Sequence, residues 1–180
     1  HAQGKRTALT LSPRARPRVF PRPEQVRQLP VQLQLEVPSD WEDRNGHVGV
    51  QYFQALFAMG AWRVLEEFGV DEKWFERQQR SQFDLEHHLF YRSEIHAGDT
   101  VSTFNRVLGR SDRRFHGIYL VVNDSTNRLA ATLEYITAGI DMKKRRMASF
   151  PVDLAEGLDG LIERHQALTW PAPACGVMAP

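Results

Sequence analysis

The residues best equipped for chemistry stand together in one short run, Asp43-Arg44-Asn45-Gly46-His47-Val48, directly before a long apolar segment with helical spacing. A carboxylate in a turn that feeds a helix N-terminus sits beside backbone N–H groups that have no acceptor within the helix, and beside the positive end of the helix dipole. Such donors can polarise a carbonyl and hold the oxyanion of a tetrahedral intermediate. Asp43 would then attack the carbonyl carbon itself or activate water as a general base. Gly46 would allow close backbone approach, and Gly49 or Val50 would present the N–H. The same residues also have a purely local reading. Aspartate favours turns and N-caps for its own hydrogen bonds, and His47 and Asn45 either orient the reacting group, bind substrate or simply close the loop.

Three further groups have types that suit ligand contact. Lys143, Lys144, Arg145 and Arg146, with Arg113 and Arg114, would meet phosphates, arginine as a bidentate fork and lysine as a point charge; alternatively they form a solvated strand edge. Trp41, Tyr52, Phe57 and Trp62 are candidates for an aromatic pocket, which would attract a quaternary ammonium, and Trp41, in the turn, is the foremost of them. His87 and His88 are neighbours on a strand, so they point to opposite faces and only one can reach a pocket. Adjacent strand residues do not converge on a metal, and no metal is expected.

These residues need a scaffold, and 180 residues supply one domain with a sizeable core. Hydrophobic residues at 42% and charged residues at 25% exclude whole-chain disorder and fibrous classes. The longest charge-free run, Val48 to Trp62, holds glycines and glutamines and does not read as a membrane span. The single cysteine, Cys175, excludes an internal disulfide framework and a cysteine-rich zinc site, and suits a reducing cytoplasm. Residues 1–30 hold seven of the 23 Lys+Arg, one of the 22 acids and five of the ten prolines, and read as an extended arm. The rest of the chain is left with an acidic excess, which argues against a nucleic-acid-binding body.

The element order follows from periodicity. Val31, Leu33, Leu35 and Val37 alternate with Gln32, Gln34 and Glu36 as a strand that Pro38 ends. A helix of about five turns is predicted from Val50 to Phe68, apolar nearly all round and therefore enclosed by the rest of the protein. A short helix follows over Asp71–Gln79, then strands over Phe83–Ile95, Val101–Leu108, Phe115–Val122 and Leu129–Ile140, and a C-terminal helix over Pro151–Leu168 with Leu154, Leu158, Leu161, Ile162 and His165 on one side. The tail from Pro171 reads as loop. This is an α+β plan in which a curved antiparallel five-stranded sheet wraps one long buried helix. Its open edges call for a second copy.

The segment Asp43-Arg44-Asn45-Gly46-His47-Val48 before that helix, together with Gly98-Asp99 in the following hairpin, resembles the hotdog-fold acyl-CoA thioesterases of the 4-hydroxybenzoyl-CoA thioesterase type. Asp40-Trp41, Leu85-Glu86-His87-His88-Leu89 and Arg145-Arg146-Met147-Ala148-Ser149-Phe150-Pro151 look most like the branch linked to carnitine and betaine metabolism, the betainyl-CoA thioesterases. The resemblance covers about residues 31–151, leaving 152–180 as a C-terminal helix and tail. It implies a cytoplasmic hydrolase that cleaves a short or polar acyl-CoA, with water as second substrate and no separate cofactor, in a homodimer or dimer of dimers (homotetramer).

Residue by residue, the resemblance makes Asp43 the essential carboxylate and the Val50 N–H the carbonyl-polarising amide. It makes His47 and Asn45 their neighbours in catalysis, and gives Gly46, Gly49, Trp41, Tyr52, His88, Arg114, Lys144 and Arg145 roles in binding substrate. Relatives often carry Asn-Asn or Asn-Glu where this chain has Gly49-Val50, which leaves only the backbone to act there. Two other readings remain. Hotdog hydratases use a motif like Asp-x-Asn-Pro-x-His, from which this chain departs in lacking the proline and placing His47 one residue early. A non-catalytic acyl-CoA-binding domain would keep the fold without turnover.

Overall fold

The computed structural model describes residues 19–61 and 63–180; the first 18 residues of the arm and the pocket candidate Trp62 lie outside the described residues. The described part of the arm is not extended throughout. Pro23–Val26 form a single helical turn, α1, with Pro23 at the position where its missing N–H costs nothing. Val26 and Leu29 are buried, and Arg27 bonds Asp124 and Asn127 at 2.8 and 2.7 Å. Apolar side chains in a proline-rich segment thus suffice to dock it.

Strand β1 spans Val31–Glu36. An irregularity between Val31 and Leu33 turns Val31 outward, 51% exposed, and buries Gln32, so the period of two holds only from Leu33 onward. The predicted five-turn helix is divided into α2, Val50–Gly60, and α3, Arg63–Glu66. Next to the break the Tyr119 hydroxyl donates to the Ala61 carbonyl at 3.3 Å, and Gly60 packs so close to Thr103 that a Cβ would lie 2.8 Å from its Oγ1. Helix α4 spans Glu72–Gln78, capped by Asp71, whose carboxylate accepts from the Trp74 N–H at 2.7 Å. Strands β2 (Arg80–Tyr91), β3 (Thr100–Arg110), β4 (Arg114–Asn123), β5 (Arg128–Asp141) and the two-residue β6 (Arg146–Met147) follow, then helix α5, Val152–Gln166.

All strand pairs are antiparallel in the order β1-β3-β4-β5-β2, with β6 added on β5, one strand more than the sequence predicts. The sheet curves around α2. Phe53, Leu56 and Phe57 of that helix pack with Val107, Tyr119, Leu133 and Tyr135 of the concave face. The convex face carries Phe104, Ile118, Leu120 and Val122, covered by Val26, Leu29 and Trp170. The C-terminal tail crosses the same face. Its Cys175 N–H donates to buried Glu134 at 2.6 Å, whose other oxygen lies 2.9 Å from His116 Nε2.

Beyond the reach of β1, the free edge of β3 is covered by α5. His165 Nδ1 accepts the Val107 N–H at 2.9 Å, and buried Arg106 donates to the carbonyls of His165 and Trp170 while stacking on the Trp170 ring. These bonds satisfy strand-edge groups that burial would otherwise penalise.

Gly117 shows how tightly the concave face is filled. A Cβ there would overlap Oη and Cζ of Tyr135, its cross-strand neighbour, whose hydroxyl donates to Asn105 at 3.0 Å. Alanine improves the strand's intrinsic preference by about 0.5–1 kcal/mol, but overpacking costs about 1–3 kcal/mol, and displacing the Tyr135 ring adds to that. Gly117→Ala is expected to lower unfolding free energy by about 2 kcal/mol in denaturant titrations. In the Tyr135→Ala background the same change should be nearly neutral; equal losses in both backgrounds would refute the overlap.

Candidate active site

The turn before α2 is fixed by its own backbone. The Asp43 N–H donates to the His47 carbonyl at 2.9 Å, the Gly46 N–H to the Asp43 carbonyl at 3.0 Å, and Gly46 takes the left-handed conformation, φ 76°, that glycine adopts without strain. The turn is then tied to the loop after β2, which is no hairpin as the sequence suggests but a connection from one edge strand, β2, to β3 beside the other edge. Val48 N–H donates to Ile95 O at 2.8 Å, Ala97 N–H to the Glu42 carboxylate at 2.9 Å, and His96 Nδ1 bonds the Gly46 carbonyl at 2.7 Å. His96 has no place in the motif and is not singled out by sequence; it adjoins the Gly98-Asp99 turn, with Asp99 accepting the His96 N–H at 2.9 Å.

Asp43 accepts two bonds from Asn45, one from its N–H at 2.7 Å and one from its side-chain amide at 3.2 Å, in an Asx-turn. Hydrogen bonding by the Asn45 backbone lowers its pKa, so the carboxyl stays ionised through neutral pH. His47 Nδ1 lies 3.7 Å from the Asp43 carboxylate. His47 also lines a cleft of about 300 Å³ with Val48, Val50, Phe53 and residues 91–94, a cleft whose lining does not include Asp43. His47 therefore stands in contact with both.

The Gly49 N–H is not available to a ligand, because it donates to the Trp41 carbonyl at 2.9 Å. The first amide to bond back along the helix is that of Tyr52, to Gly49 O at 3.0 Å. Val50 and Gln51 keep the unshared N–H groups of any first helical turn, and Val50 opens on the cleft. Of the two N–H candidates in the sequence, the geometry leaves Val50.

The other candidates separate. Trp41 and Tyr52 stack on each other with centroids 4.9 Å apart, and the Tyr52 hydroxyl donates to Asp40 O at 3.1 Å. They brace the turn. Phe57 is core and lines a different cavity, between α2 and the sheet. His87, not His88, faces that cavity; His88 pairs in register with Glu134 on the convex side. A basic cleft of about 370 Å³ is lined by Arg80, Arg113, Lys144 and Arg146 with Asp141. Lys144 is the one member of the substrate-binding set found there. Arg114 and Arg145 are not on its lining, and Arg145 takes a left-handed turn conformation, φ 50°, as Asp141 accepts the N–H groups of Lys143 and Lys144. Among the described residues no cluster of three or more His, Cys, Asp or Glu side chains could hold a metal, and no helix is long and apolar enough to cross a membrane.

The single chain does not enclose α2 as its all-round apolar sequence predicts. Val50 and Met59 remain 64% and 45% exposed.

A curved antiparallel sheet around a helix whose N-terminal amides follow an Asp-x-x-Gly-His turn defines a hotdog thioesterase. Residues 37–158 match the thioesterase-like superfamily, and the chain belongs to it. It is a thioester hydrolase by class. Among its relatives, a betainyl-CoA thioesterase of Pseudomonas aeruginosa is 24% identical over 132 residues, 73% of this chain and 83% of that protein. An L-carnitine dehydrogenase/betainyl-CoA thioesterase of a Rhizobium species is 25% identical over 139 residues, 77% of this chain but only 28% of that longer protein. Among solved structures, a Staphylococcus aureus protein in complex with CoA superposes with a TM-score of 0.73 at 23% identity, covering 81% of this chain and 92% of that one.

Proposed function

We propose that this chain hydrolyses acyl-CoA at the N-terminus of α2, releasing the free acid and CoA, with a short polar acyl group as substrate. The observation that carries this reading is Val50, which lines the cleft and whose N–H has no acceptor within the helix, together with His47 on the same lining, 3.7 Å from the ionised Asp43. In this reading the Val50 amide takes the hydrogen bond of the thioester oxygen as it becomes an oxyanion. Asp43 either attacks the carbonyl carbon and expels the thiolate of CoA, leaving a mixed anhydride that water hydrolyses to the free acid and Asp43, or accepts a proton from a water that attacks the carbonyl as the thiolate leaves. No cofactor takes part. The names of the relatives favour betainyl-CoA as the first substrate to try, and the basic cleft at Lys144 offers cations for CoA phosphates. The exposed residues of α2 and strand β2, the last strand of the sheet order among the described residues, are read as the contact with a second copy, in a homodimer.

The 3.7 Å approach of His47 to Asp43 favours a second reading of the same site, in which Asp43 orients His47 and the imidazole, which lines the cleft, activates the water. Release of CoA thiol from a panel running from acetyl to palmitoyl, with betainyl and 4-hydroxybenzoyl, tests both. Turnover of at least one member is expected; a folded protein that releases no CoA across the panel overturns the thioesterase reading.

His96 acts here through the loop and not on substrate. His96→Ala removes the bond to the Gly46 carbonyl and is expected to lower kcat about tenfold by loosening the turn, with KM little changed. His96→Asn, which can still donate to that carbonyl, should recover most of the loss. A KM effect without a kcat effect would contradict a positioning role.

A further inference from the structure

The segment before β1 reaches the mouth of the candidate active site. Its Phe20 ring packs against Phe90 of β2 with centroids 5.0 Å apart, and the Arg92 guanidinium lies 4.1 Å over the Phe20 ring. Arg22 enters the α1 turn through its main chain. Its carbonyl accepts the N–H groups of Gln25 and Val26 at 2.9 and 3.1 Å, and its N–H donates to the Gln25 side chain at 2.9 Å. The Arg22 residue is itself exposed. The match to the thioesterase-like superfamily begins only at residue 37, so this segment belongs to the chain and not to the family pattern.

Between the segment and the sheet runs a groove of about 350 Å³ whose polar walls are Arg22, Arg92, Ser93, Asn127 and Arg128. Arg92 and Ser93 also line the Val50 cleft, so the groove continues from it. The junction is fixed where β2 ends, as the N–H groups of Arg92 and Ser93 both donate to the Ala130 carbonyl, at 2.8 and 3.2 Å. Arg128 opens β5 two residues before Ala130, roughly 7 Å away at ~3.4 Å per residue. No acidic side chain lines the groove. Among the described residues the arginines held in ion pairs are Arg27, Arg80, Arg110 and Arg164, and none of the three in the groove is among them. Glu24, whose charge interacts with that of Arg22, is bonded to the Asn127 amide at 3.1 Å and stays off the lining. Glu94, on the cleft side, pairs with His96. Three cations gathered without a counter-charge repel one another and attract an anion.

We propose that Arg22, Arg92 and Arg128 hold phosphate groups at the nucleotide end of the thioester, which makes the segment ahead of β1 part of the substrate site. Phosphate suits the arginine fork, which meets it through two parallel N–H bonds. The order along the surface is the order within an acyl-CoA: the thioester at Val50, the pantetheine arm across Arg92 and Ser93, and the phosphates in the groove. The basic cleft at Lys144 stands elsewhere in the same chain. Its Arg80 opens β2, whereas Tyr91, on the Val50 cleft, closes that strand, and its twelve residues separate the two by roughly 35 Å at ~3.3 Å per residue. Within one chain the groove, and not that cleft, adjoins Val50. The inference rests on the thioesterase reading for the identity of the ligand, not for the groove itself.

The test takes one acyl group that the protein turns over and compares its thioesters with CoA, with dephospho-CoA and with pantetheine, which carries no phosphate. Wild-type kcat/KM should favour CoA over pantetheine by about 100-fold, the worth of two charge-assisted hydrogen bonds. Arg22→Ala and Arg128→Ala should each reduce that preference about tenfold, with the loss in KM for the CoA thioester. The main-chain bonds of Arg22 keep the α1 turn in the first of these variants. A dephospho-CoA thioester that behaves like that of CoA assigns the groove to the diphosphate, and one that behaves like that of pantetheine assigns it to the 3′-phosphate; both support the site. A wild-type preference near one overturns the proposal while leaving the thioesterase reading intact, as does a preference that both arginine variants keep and Lys144→Ala loses. If no thioester is cleaved, the thioesterase reading fails and the groove is judged by titrating the protein with free CoA and with pantetheine. Saturable binding of CoA alone, weakened about tenfold in Arg22→Ala and in Arg128→Ala, supports the site; no binding, equal binding of both, or binding that neither variant weakens overturns it.

Discussion

Replacing Asp43 with asparagine is expected to lower kcat for CoA release by about 10²–10⁴-fold, the contribution of a positioned acid or base, with KM changed little. The substitution keeps the shape and an oxygen that can accept the Asn45 N–H, now 2.7 Å from the carboxylate, so the turn should persist. What is lost is the charge and the ability to take a proton or attack a carbonyl. The pH profile separates the two readings of the site. Hydrogen bonding by Asn45 lowers the Asp43 pKa, and a base must be deprotonated to act. If Asp43 is the base, activity is held as pH falls to below the ordinary aspartate range of ~3.9. If His47→Gln is as damaging as Asp43→Asn, the imidazole of His47 is the base instead. Wild-type turnover by folded Asp43→Asn would exclude both.

The second large effect concerns stability. His165 is held neutral: burial lowers its pKa to about 4, the charges of Arg164 and Arg106 add to the fall, and its Nδ1 accepts the Val107 N–H at 2.9 Å, a bond only the neutral ring can make. Its ordinary value is ~6.5. Between these values the unfolded chain binds a proton that the folded chain does not, so the contribution of His165 is complete above pH ~6.5 and is lost progressively toward pH 4. Integrated over that window it amounts to about 3 kcal/mol. Urea unfolding at pH 7.5 and 4.5 measures it, and His165→Gln, which keeps an acceptor but does not titrate, should remove this share of the pH dependence. The same loss on acidification in wild type and variant would mean that the Val107 contact does not depend on the neutral ring.

Much of this architecture is legible in the residues. The turn Asp43–His47, the strand–turn–helix context, α4 with its Asp71 cap, and the four long strands follow from alternation and turn chemistry. The apolar stripe of α5 is likewise correct for Leu154, Leu158, Leu161 and His165. The division after Gly60 is not legible, since the apolar run from Val50 to Phe68 carries no proline or other stop signal there. Of the cavity lining, Phe57 and His87 are among the sequence candidates, and Asp84 is not, for a related reason. Asp84 and His87 belong to one face only because Leu85 is bulged, and alternation cannot report an inserted residue. The preference for His88 over His87 came from resemblance, and the register with Tyr135 and Glu134 puts His87 inside. The Gly49 amide was excluded by a bond to Trp41 that links residues eight apart through the loop.

The two margins of the sheet are unequal. Strand β1 has six residues bracketed by Pro30 and Pro38, neither of which has an N–H to offer, and the remaining margin of β3 is covered by α5. On the opposite side β2 runs for twelve residues without a proline. Backbone groups that can recruit another strand are thus concentrated on one side of the molecule. Strand addition at β2 by a like strand uses up that side on both chains and leaves only blunted margins outward. In the homodimer proposed above, growth by this route ends at two chains.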